Sequence, residues 1–262
     1  MNFLYEIDAA LLAAAFFALL VLAVEAGRTA GRRVEAAVWD RVSGPFGTFA
    51  GTMLGLLGLL GLLLAFSFGM ASARYDSRKA ALLKEINAIG TAYLRADFLE
   101  PGAQKEMKTL MRQYVELRVD YNAAGHAPAA ESRAFADATA LQLQMWKLAA
   151  ASELYLEPKA VRLSMLASAL NDMIDVSADR EEARQNRVPE LVLWMLLVTA
   201  GLSGALGGYA FGAAGHRSLL ATLGFAVMVS KVVFTILDLD RPRRGLIQVD
   251  YAGMNEPRQS MR

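Results

Sequence analysis

Between Val42 and Ala73 the chain runs for 32 residues without one charged side chain. A water-soluble domain seldom carries so long an uncharged stretch. As a helix it would extend ~48 Å at ~1.5 Å per residue, more than the ~30 Å hydrocarbon core of a bilayer needs. The run therefore predicts a membrane span that tilts, starts late at Gly44-Pro45, or protrudes. At Arg74 it turns into a charged, helix-forming stretch, LLAFSFGMASARYDSRK from 63 to 79, with no Pro or Gly cluster between. One helix is expected to leave the membrane and continue.

Three more apolar blocks follow the same logic: Ala9 to Ala26, broken only by Glu25, then Leu191 to Gly212, and Leu219 to Leu237, broken by Lys231. The chain is 55% hydrophobic, and the excess over an ordinary soluble domain sits in these blocks. The first block is expected to be a retained span, because MNFLYEID carries acids where a secretory signal carries bases. Only a short turn with His216 and Arg217 parts the last two, which predicts a hairpin.

The expected organisation is a first transmembrane pair in 1–73, with spans about 9–26 and 46–73, then a helical insert in 74–187. A second hairpin follows in 188–240, with spans about 191–212 and 219–237, and then a tail in 241–262. Lys and Arg near the membrane ends number ten on the side of the termini and insert (including Arg74, Arg78, Arg184, Arg187 and Arg241) against five opposite (Arg28, Arg32, Arg33, Arg41 and Arg217). The positive-inside rule then puts both termini, insert and tail of this multi-pass protein on the cytoplasmic side of the membrane.

The insert holds sixteen basic and sixteen acidic residues. Breakers at FLEPG (98–102), AAGHAP (123–128) and Pro158 predict four helices of about 20–28 residues. Leu82, Leu83, Ile86, Ile89, Tyr93 and Leu94 recur at helical spacing, and the balanced charge reads as a solvated surface. No strand pattern is present. The fold class expected is an all-α membrane protein: four transmembrane helices in two pairs, with a helical cytoplasmic domain inserted between spans 2 and 3.

Little in the chain suggests chemistry. The net charge of +1 offers nothing to nucleic acid, there is no cysteine, and the two histidines, His126 and His216, lie 90 residues apart. No phosphate-binding loop, nucleophile elbow or His-Glu-x-x-His pair occurs. No catalytic residue, metal site or cofactor is expected, and no enzyme. Asp238 and Asp240 diverge on a helix and run into Arg241, Arg243 and Arg244; with Arg74 they read as membrane-exit charges. Lys231 is an intramembrane charge that either pairs or meets water for a functional reason, or snorkels to the surface.

On a helical wheel at about 100° per residue, the small residues of the second block align. With Gly58 at zero, Gly47, Gly51, Gly55, Gly61, Ala65, Gly69, Ser72 and Ala73 lie within about 60° of it, which predicts a close-packing surface. Beside this stripe runs a bulky column of Leu59, Leu62, Phe66 and Met70, while Phe68 falls about 160° from Phe66. A column of this kind around a symmetry axis would make an apolar constriction that gates by dewetting. Bulky residues of a span more often face lipid or pack against a neighbour.

LLLAFSFGMASARYDSRKA, EINAIGTAYLRAD and DLDRPRRGLIQV resemble the bestrophin-like family of bacterial membrane proteins, distant relatives of the bestrophin ion channels. The resemblance covers nearly the whole chain. It implies a homo-oligomeric, pentameric ion channel whose partners are other copies of the chain, membrane lipids and small inorganic ions. It also implies a neck in span 2 at Leu59, Leu62, Phe66 and Met70, since Phe66 stands eight residues before Arg74-Tyr75 and Leu62 one turn earlier. Departures exist: Leu62 stands where those channels carry an aromatic, Gly58 would widen the next turn, and basic residues after Asp238-Leu239-Asp240 replace an acidic calcium-binding run. The residues themselves leave open a non-conducting membrane sensor or interaction protein signalling through its helical domain, and, more remotely, a lipid-handling protein.

Overall fold

The structure, a computed structural model, describes residues 7–34, 39, 48–123, 128–152, 159–241 and 246–261. Gly44-Pro45, Arg41, Gly47, His126, Pro158, Arg243 and Arg244 lie outside these. The described residues form helices and contain no strand. In chain order the helices are α1 (Ala9–Gly31), α2 (Thr48–Arg95), α3 (Pro101–Ala123), α4 (Pro128–Ala151), α5 (Lys159–Gln185), α6 (Glu190–Ala213), α7 (Leu219–Leu239) and α8 (Asn255–Ser260). Among the described residues, four helices are long and apolar enough to cross a membrane. The expected all-α architecture with four spans is present.

The chain divides into two compact units. The first comprises Met1–Arg74 and Arg187–Ile247, the second Tyr75–Asn186 and Gln248–Arg262. The long helix α2 belongs to both, running from Thr48 to Arg95 without a break. The last residues of the chain pack in the second unit: Val249, Met254 and Met261 are buried in its core.

In the first unit, α1 and α6 cross backbone to backbone. A Cβ placed on Gly27 would lie 1.9 Å from the Ala205 carbonyl oxygen, and one on Gly212 would lie 2.1 Å from that of Arg28. Gly31 and Gly208 make the same kind of approach. Spacing of four brings glycines onto one face, so G-x-x-x-G on α1 meets its counterpart on α6. Helix ends are closed locally. Asp8 Oδ1 accepts from the Ala10 N–H at 2.8 Å, and Ser218 Oγ accepts from the Ala221 N–H at 3.2 Å. The α6–α7 turn is a Schellman closure: Gly215 takes φ 72°, the His216 N–H donates to Phe211 O at 2.9 Å and the Gly215 N–H to Gly212 O at 3.1 Å.

The second unit is a helical bundle around Ile89, Met107, Met111, Tyr114, Met145 and Leu170. Its helix breaks follow the prolines: α2 tightens into a 3-10 turn at Ala96–Phe98, and α3 starts at Pro101. Arg78 closes the end of α5, donating to Ala183 O at 3.2 Å and Asn186 O at 2.8 Å, where a cation also meets the negative end of the helix.

Candidate functional site

The spanning half of α2 is nearly uncovered. Only 6% of its most apolar 18-residue window is buried, against 22% for α1 and 33% for α7. Its buried residues are Leu60, Ser67 and Ala71, which lie at about 180–220° on the wheel that has Gly58 at zero. Met53, on the same side, brings its Cε methyl to 3.1 Å from where a Cβ on Gly207 would lie. The chain therefore packs on the back of this helix.

The stripe and the column face away from that side. A Cβ added to Gly51, Gly55, Gly58, Gly61 or Gly69 would meet nothing within 4 Å, and Ala65 is exposed. Leu59, Leu62 and Phe66 are 46%, 51% and 63% exposed, and Met70 is half-buried. Phe68, across the stripe, is exposed as well. Within one chain, glycines and bulky side chains alike lack a partner over well over half of the helix circumference.

The charges around the spans have separate jobs. Arg74 turns back on its own helix, donating to Met70 O at 3.2 Å. Asp238 is buried and accepts from the N–H groups of Leu246 and Ile247 at 2.9 and 2.8 Å, so its carboxylate holds the chain after α7 and does not reach for Lys231. Asp240, also buried, accepts from the Val188 N–H at 2.8 Å, tying the start of α6 to the end of α7. Lys231 lies on the exposed side of α7, in line with Val227 and Met228. Glu25 is engaged by Arg28 and, at 3.5 Å, by Arg217.

Sequence reasoning missed a buried polar cluster in the second unit. Glu85, on α2, has no solvent exposure. Its Oε1 lies 2.7 Å from Arg118 Nε and accepts from Tyr114 Oη at 3.0 Å, and its Oε2 pairs with Arg180. Gln142 on α4 donates to Tyr114 Oη at 3.3 Å, so residues of four helices meet here. Burial pushes the Glu85 carboxyl up, but the two guanidinium groups outweigh it and hold it below the usual carboxylate range. Burial, reinforced by the Glu85 charge, drives the Tyr114 hydroxyl well above its ordinary value. The missed signal is slight: Glu85 falls on the apolar side of the Leu82–Ile89 repeat, among many similar charges.

With this geometry in place, the bestrophin-like domain family matches residues 10–254. The chain belongs to the bestrophin-like family. Among solved structures, the bestrophin-like chain is similar to a variant of a bacterial bestrophin homolog from Klebsiella pneumoniae, with a TM-score of 0.66 and 11% identity over 94% of this chain and 96% of that one. Two structures described as variants of a membrane protein match with TM-scores of 0.67 and 0.60 at 13% and 14% identity, each over 95% of this chain and 97% of theirs. At such identities the likeness is one of fold. No curated protein matches the chain.

Proposed function

We propose that this bestrophin-like protein is a homo-oligomeric ion channel in which α2 lines an apolar neck. The observation that carries the reading is the uncovered face of α2: a membrane span whose glycine stripe and bulky column both point away from its own subunit. Lipid tails gain nothing from a groove of glycines, whereas another helix gains close van der Waals contact from it. Gly51, Gly55, Gly58, Ala65 and Gly69 then pack on a neighbouring copy. Copies related by a rotation axis bring Leu59, Leu62, Phe66 and Met70 towards that axis, and the family pattern favours a pentamer.

The neck carries no charge, so its wetting governs passage, and ion preference is set elsewhere along the path. Small inorganic ions and lipids are the non-protein partners, and the protein acts by conduction, not catalysis. Membership of the bestrophin-like family supports a bacterial inner-membrane location, and the distribution of Lys and Arg supports an orientation with the termini, the helical domain of 74–187 and the tail on the cytoplasmic side. Arg74, Asp238 and Asp240 then mark the cytoplasmic ends of the spans.

Reconstitution into planar bilayers tests the reading. Wild-type protein should conduct, and Phe66→Ala or Leu62→Ala should change the current. Folded oligomers that stay silent would overturn it in favour of a membrane sensor, which the unbroken α2 would serve equally well.

A further inference from the structure

The buried side of α2 keeps one direction along the whole helix. Leu60, Ala71 and Leu82 are buried at intervals of eleven residues, and so are Ser67, Arg78 and Ile89. Eleven residues make three turns with a drift of only about 20°, so these positions form a nearly straight stripe. Glu85 lies eighteen residues after Ser67, five turns on, and therefore on the same line. Phe66 is about 100° around from that line.

The two halves of the stripe differ in how firmly they hold the helix. In the spanning half the buried residues are a leucine, a serine bonded to its own helix (Ser67 Oγ to Leu63 O, 2.6 Å) and an alanine. Such contacts are non-directional. At Glu85 the constraint is directional, because Tyr114, Arg118 and Arg180 converge on two carboxylate oxygens from α3 and α5. Between Phe66 and Glu85 the helix contains no Pro and a single glycine, Gly69, through which it runs unbroken.

We propose that Glu85 is a positioning residue that sets the rotation of α2, and with it the direction in which Leu62 and Phe66 point. The inference rests on the channel reading for its consequence, which is regulation of the neck from the helical unit. Its physical content, the rotational phase of α2, is measurable without any current.

The chain contains no cysteine, so single cysteines at positions 58 to 71 of the full-length protein in liposomes can each carry a spin label. Accessibility to a paramagnetic quencher should oscillate with helical period, with minima at 60, 67 and 71. Glu85→Gln should move those minima and lower the accessibility ratio of position 66 to 67 about threefold, the lower range for substitutions along a coupled network. Arg118→Lys, which keeps the charge and loses the forked geometry, should move them the same way by less. Met145→Ala, which loosens the same core without touching the cluster, should leave the phase in place.

Minima that stay in both Glu85→Gln and Arg118→Lys overturn the proposal, as does an equal shift in Met145→Ala. A conducting protein with an unmoved phase keeps the channel and loses the positioning role. A silent wild type whose phase moves in Glu85→Gln does the reverse.

Discussion

The position of a Cβ on Gly208 lies 1.9 Å from the carbonyl oxygen of Val24. No side chain fits there, so α1 and α6 depend on glycine for their approach. In hydrocarbon, where lipid tails solvate leucine as well as a neighbouring leucine does, such close packing is a main source of helix association.

Gly208→Ala should therefore cost the subunit about 1–3 kcal/mol through overpacking, read as a lower unfolding midpoint in detergent. Gly58→Ala is the contrasting change. With nothing within 4 Å in its own chain, it should leave that midpoint in place and reduce the oligomeric fraction on size-exclusion chromatography. A full oligomer yield in Gly58→Ala contradicts packing between copies at the α2 stripe.

Removing the Glu85 carboxylate leaves two buried guanidinium groups without their partner. Glu85→Ala should destabilise the helical unit by about 3–5 kcal/mol. The Arg258–Glu116 pair, with side chains 37% and 46% exposed, should contribute less than about 1 kcal/mol, so Arg258→Ala is close to neutral. Denaturant titration monitored within the bundle distinguishes the two, and equal losses would contradict the burial argument.

These energies follow pH in a defined direction. Glu85 in the folded unit titrates below its ordinary value, since the arginines outweigh the effect of burial. In Asp97 the Lys108 interaction leads the same downward shift, and in Glu181 Arg184 and Gln185 outweigh burial. A carboxyl with a depressed folded pKa stabilises fully above its unfolded value and loses that contribution as pH falls through the folded one. Stability of the helical unit should be flat from about pH 7 to about pH 5 and decline below. Glu85→Gln should flatten part of that decline. A loss of stability on raising the pH from 5 to 7 would contradict the assignment.

The spans and the helical insert were legible in the sequence because a bilayer demands about twenty apolar residues per crossing, and prolines punctuate the rest. The small stripe and bulky column of α2 were legible as a helical pattern, whereas their lack of cover within the chain was not. The α1–α6 contact was not read, although Gly27-x-x-x-Gly31 and Gly204-x-x-x-Gly208-x-x-x-Gly212 are both visible; which of several glycine-rich spans meet is a tertiary matter. Glu85 was hidden for a different reason. Charge alone does not tell a buried carboxylate from a solvated one, and its arginines lie 33 and 95 residues away.

Asp238 and Asp240 show the same limit. Both look like charges at a membrane exit, yet each is buried and accepts from backbone N–H groups. Asp238→Ala should cost about 1–3 kcal/mol, the penalty for leaving buried donors unsatisfied, and should release the segment at Leu246 and Ile247. Hydrogen exchange at those two amides reads this directly; unchanged protection would contradict it.

The most direct test is a symmetry-resolved image of the purified full-length protein in a lipid nanodisc. The channel reading predicts copies around a rotation axis, five by the family pattern, with α2 innermost and Leu62 and Phe66 turned towards the axis. A monomer, a dimer, or a ring with α2 against lipid would contradict it.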